Sequence, residues 1–131
     1  MATTWTLDTI EQAIRRAWGD DTCDPDDRAD RSPANPARGQ CGVTALVLHD
    51  LVGGDLICGE AYVGPRRVGV HYWNRLPSGL ELDLTREQFG PDESVVGGAV
   101  VVRPAGPPRR CREQYELLRA RVFEALGLDV I

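Results

Sequence analysis

Two periods of apolar and polar positions run through this chain, and the places where one gives way to the other mark its elements. Leu7, Ile10, Ile14 and Trp18 recur at helical spacing, which predicts an amphipathic first helix capped by Thr6 or Asp8 and ended by Gly19. From Gly42 to Val52 nearly every side chain is apolar. A helix there has to be covered on most sides, and Gly53-Gly54 gives it a left-handed stop. Strand patterns follow at 55–63, 67–76 and 80–85, the last with Leu80, Leu82 and Leu84 alternating with Glu81 and Asp83. Pro77-Ser78-Gly79 between the second and third fits a three-residue hairpin loop, a type I turn followed by a left-handed glycine. A short helical turn is expected at 86–89, and a further strand at 95–102 is weakened by Gly97-Gly98. Cys111, Tyr115, Leu118, Val122, Ala125 and Leu126 form the stripe of a last helix, closed by Gly127.

Residues 19–40 break both periods. Asp20, Asp21, Asp24, Asp26, Asp27 and Asp30 are interleaved with Pro25, Pro33 and Pro36, so no regular element is expected. The segment runs directly into Cys41. It reads as the rim of a cleft, mobile in the free protein and ordered by a ligand; a solvated acidic loop without a role is the plainer alternative.

Composition narrows the setting. The 131 residues are enough for one domain, 1–131, that buries roughly two thirds of its unfolded surface without staples. Cysteines at 23, 41, 58 and 111 make no C-x-x-C pair and no ligand cluster, so neither a metal nor a cofactor is expected, and the thiols should be reduced, as in a cytoplasm. The first ten residues have no basic and apolar leader pattern, and no apolar run reaches membrane length, so export and membrane insertion are not expected. A net charge of -5 argues against a nucleic-acid partner.

Cys41 stands where the central helix begins, at its electropositive end, where free N–H groups and the helix dipole favour an anion. A thiol nucleophile needs a base, and the chain offers two histidines. His49 lies eight residues along the same helix, about 12 Å away at 1.5 Å per residue. His71 remains, on a strand. If the loop is 77–79, Leu76 pairs with Leu80, His71 faces Thr85, and Asp83 lies diagonally across on the same face, close enough to meet the imidazole. The expected constellation is Cys41 as nucleophile, His71 as base and Asp83 as orienter. Gln40 is a candidate oxyanion donor beside the Cys41 N–H, and Asn74 an alternative orienter, although its spacing from His71 points it to the other face. Trp73 and Trp18 are the candidate substrate-binding aromatics, with Trp18 equally readable as core. Taken singly, each also has a plainer reading: Cys41 as an inert helix thiol, His71 as a satisfied core or surface histidine, Asp83 as a surface acid and Gln40 as a helix cap.

Gly39-Gln40-Cys41, Gly53-Gly54, His71-Tyr72-Trp73-Asn74, Asp83-Leu84-Thr85 and Gln88-Phe89 resemble the YunG-like family of small bacterial proteins. More loosely, the order Cys, His, Asp is similar to the papain and transglutaminase-like superfamily. That resemblance implies an α+β fold with a papain/transglutaminase-like core, in which the nucleophile begins a central helix packed on an antiparallel sheet. It also implies acyl chemistry at a small-molecule or protein amide, ester or thioester, by hydrolysis or transfer. Gln40 departs from the papain pattern, which places its glutamine several residues before the nucleophile. Two alternatives share these residues: a non-hydrolytic biosynthetic step such as cyclisation, and a binding or regulatory module without turnover.

Overall fold

The computed structural model describes residues 5–128. Three helices, α1 (Leu7–Ala17), α2 (Cys41–Val52) and α3 (Arg112–Ala125), accompany four strands, β1 (Asp55–Val63), β2 (Arg66–Arg75), β3 (Glu81–Leu82) and β4 (Glu93–Val101). The strands form one antiparallel sheet in the order β3-β2-β1-β4. The fold is α+β, with α2 lying between that sheet and the pair α1 and α3. No helix among the described residues is long and apolar enough to cross a membrane.

Burial explains the position of α2. Val43, Val47 and Leu48 join Ile10, Ile14, Trp18, Tyr115, Leu118 and Val122 in one core, so α2 is apolar on nearly all sides because it has neighbours on nearly all sides. Its stop is Gly53 and Gly54, at φ +73° and +82°; a Cβ on Gly54 would overlap the carbonyl oxygen of Arg75. The outer helices follow their patterns with two exceptions. Leu7 at the start of α1 is exposed, and on α3 the inward place expected for Ala125 is taken by Phe123.

The β2–β3 hairpin forms in the expected register. The Leu76 N–H donates to Leu80 O, Gly79 has φ +92°, and Asn74 pairs with Leu82. The ladder is shorter than the alternation of 80–85 suggested. Asp83 turns its carboxylate onto the Thr85 N–H and hydroxyl, which bends the chain out of the sheet and into a 3₁₀ turn at Arg86–Gln88. In β4, Gly98 makes room: a Cβ on it or on Gly59 of β1 would come within 2.9 Å of the Trp73 indole, while Gly97 has φ +72°.

Residues 19–40 border the cavity at Cys41, as a cleft rim would, and correct the expectation that they hold no regular element. Pro25–Asp30 forms a 3₁₀ turn capped by Asp24, and Thr22, Cys23, Ala37 and Gln40 are fully buried. Five of the six aspartates are paired with arginines from outside and inside the loop: Asp20 with Arg31, Asp21 with Arg121, Asp27 with Arg38, and Asp24 and Asp26 with Arg110.

Candidate active site

Cys41 is the first residue of α2, and it is held there by the loop that precedes it. Gly39 has φ +74°, and a Cβ on it would lie 2.5 Å from Cys23 Sγ and 2.8 Å from Asp27 Cβ, so glycine is required where the chain turns into the helix. Gln40 follows with its side chain fully buried. Its Oε1 accepts from the Thr22 hydroxyl at 2.8 Å and its Nε2 donates to Gly19 O at 3.1 Å. Gln40 therefore anchors the loop and neither caps α2 nor serves as the oxyanion donor expected of it. The first-turn N–H groups of α2 have no carbonyl of their own helix to meet and no capping side chain. No acidic residue lies in that turn to offset its positive end.

His71 lies on β2 with a side chain only 1% exposed. Its Nε2 donates to Asp83 Oδ2 at 2.6 Å, as the odd-length hairpin loop requires, while Asp83 Oδ1 is held by Thr85. Trp73 stacks on the ring at 5.7 Å and Phe89 meets it edge-on at 4.7 Å. The second ring nitrogen, Nδ1, faces away from Asp83, with Gln88 Nε2 3.5 Å from it, and Cys41 is close enough to His71 to favour the charged ring. Burial disfavours the imidazolium, but hydrogen bonds to Asp83 and Cys41, with the charge of both, outweigh it and push the His71 pKa up to about 9. The departure of β3 after Leu82 leaves the β2 edge at His71 without a strand neighbour. The chain on either side of Gln88 and the start of α2 meet there.

The other candidate residues are placed elsewhere. Asn74 donates to Ala45 O from the sheet face toward α2, so it is not the orienter. Trp18 is core, its indole N–H bonded to Thr44. Trp73 donates to Glu81 and borders a shallow groove with His71 and Asp83. His49 is engaged by Arg103 and Gly54 O. Gln88 had been given no role. Buried in the turn after Thr85, it accepts the Gly39 N–H at 3.2 Å, donates to Thr85, and places its Nε2 3.5 Å from His71 Nδ1. It thus links the approach to Cys41 with the acid-bearing turn. A single amide in a polar stretch gives no periodic signal that would have marked it. Tyr72 was missed as well. It pairs with Cys58 across the β1–β2 ladder and lies over Gly42.

Cys41 opens onto a cavity of about 320 Å³ between α2, the sheet and the 19–40 loop. No group of three or more His, Cys, Asp or Glu side chains among the described residues could hold a metal ion.

A family profile described as YunG protein matches residues 6–127. The chain belongs to the YunG family. No curated protein and no solved structure matches it. In this YunG-family chain the matched span contains Cys41, His71, Asp83 and Gln88, together with the loop that anchors them.

Proposed function

We propose that this YunG-family protein is a cysteine acyl hydrolase or acyltransferase whose catalytic residues are Cys41, His71 and Asp83. The observation that carries the reading is the division of the His71 ring, with Nε2 on Asp83 and the other nitrogen left for a thiol at a helix start. The same order of nucleophile, base and orienter supports a relationship to the papain and transglutaminase-like enzymes.

The chemistry follows from that arrangement. Cys41 thiolate attacks an amide, ester or thioester carbonyl, and a C–S bond forms as the carbonyl electron pair moves to oxygen. With Gln40 committed to Thr22 and Gly19, the N–H groups of the first turn of α2 are the donors for that oxyanion. The oxyanion collapses, the leaving group takes the proton of His71 Nδ1, and a thioester remains on Cys41. His71 then takes a proton from water or an amine, whose attack on the thioester releases the acyl product and the thiolate. The cavity beside Cys41, about 320 Å³, is of small-molecule size, which favours a small molecule or a single acyl site on one target.

The test is the covalent intermediate. Mixed with p-nitrophenyl acetate and quenched within one turnover, the protein should gain the mass of one acetyl group on the peptide containing Cys41. The His71→Ala protein should gain it far more slowly. Acetylation spread over Cys23, Cys58 and Cys111 at comparable rates would remove Cys41 as the nucleophile.

A further inference from the structure

Resting on the acyl-transfer reading, we infer that the cavity beside Cys41 receives an uncharged aliphatic acyl chain of about ten carbons, taking roughly 30 Å³ per water-sized group in 320 Å³. Three observations converge on this class.

The first is the wall. Leu46 of α2, Leu56 of β1, Val70 of β2 and Val101 and Val102 of β4 line the cavity that Cys41 opens onto. Val70 is 42% exposed and Val102 87% exposed, so apolar surface continues from the thiol out to the mouth with nothing packed over it.

The second is charge. Four ionic side chains border the same cavity, and each has its counter-ion within the protein. Asp24 is bonded to Arg110, Asp27 is paired with Arg38, and Arg103 is bonded to Asp50 and Tyr115. Each of these lining charges is already engaged by an opposite charge, so none stands unpaired toward the cavity to recognise a carboxylate, a phosphate or an ammonium group.

The third is connectivity. The nucleophile borders the cavity, whereas His71 and Asp83 border the separate groove on the Trp73 side. The part of a substrate bonded through its carbonyl to Cys41 therefore has the apolar cavity to enter.

A series of 1-chloro-2-alkanones tests this, because the thiolate displaces chloride next to a carbonyl whose alkyl group stands where an acyl chain would. The rate of Cys41 modification, mapped to its peptide and divided by the rate for glutathione, should rise about fourfold per methylene, as apolar burial of each CH₂ implies. It should stop rising at about ten carbons. Val70→Phe narrows the mouth at an exposed position and should shorten the optimum, and Leu46→Ala should lengthen it. Rates that are flat or fall from chloroacetone onward, with Cys41 still modified faster than glutathione, would overturn the inference and leave the nucleophile standing. Failure of every reagent to modify Cys41 would overturn the reading on which it rests.

Discussion

Replacing Cys41 with alanine should reduce turnover on the order of 10³-fold or more while leaving the fold intact. The side chain is half-buried, and alanine is well suited to a first helical turn, so thermal stability should shift little. A second consequence separates catalysis from general damage. The high His71 pKa, about 9, rests partly on the Cys41 hydrogen bond and charge. Without the Cys41 side chain, the His71 ring resonances should titrate at lower pH. His49→Gln, which alters a ring held by Arg103 and Gly54 O, should leave turnover close to that of the parent. Equal losses for His49 and His71 substitutions would remove His71 as the base.

The second large effect belongs to Asp83. Its carboxylate accepts from His71 Nε2, so Asp83→Asn should lower the His71 pKa and reduce turnover on the order of 10²-fold, mainly in kcat. Asp83→Ala combined with His71→Ala should cost little more than His71→Ala alone, because the two groups act as one unit. Stability should respond with a defined sign. A histidine raised from about 6.5 to about 9 on folding contributes stability that is complete below about pH 6.5 and is lost as pH rises toward 9. Asp83→Asn should shrink that contribution and narrow its window, as denaturant midpoints measured across this range would show. Unchanged kcat with a raised KM would place Asp83 in substrate binding instead.

How far the sequence led depends on whether a feature was local. The ends of α2 and the hairpin register were legible, because Gly53-Gly54 and Pro77-Ser78-Gly79 specify backbone geometry by themselves. From that register came the meeting of His71 and Asp83. What could not be read was set by distant partners. The aspartates of 19–40 looked solvated because Arg110 and Arg121, which pair with three of them, lie some 80 to 100 residues away in sequence. Gln40 looked like an oxyanion donor because its neighbour is Cys41, yet Thr22 and Gly19 hold its amide. Gly97-Gly98 looked like a flaw in a strand, and only the packed indole of Trp73 shows why Gly98 has no room for a side chain. Leu84 did go inward as its alternation suggested, but Asp83 ended the ladder through its own bonds to Thr85, a competition that periodicity does not register.

The central claim is that Cys41 and His71 form a thiolate–imidazolium pair, and the pH profile of Cys41 alkylation by iodoacetamide tests it most directly. At about pH 6 glutathione is almost wholly protonated, so Cys41 should react much faster than glutathione there, and His71→Ala should abolish the advantage. A Cys41 that reacts no faster than glutathione at that pH, and only gains reactivity as an ordinary thiol does on raising it, would contradict the account.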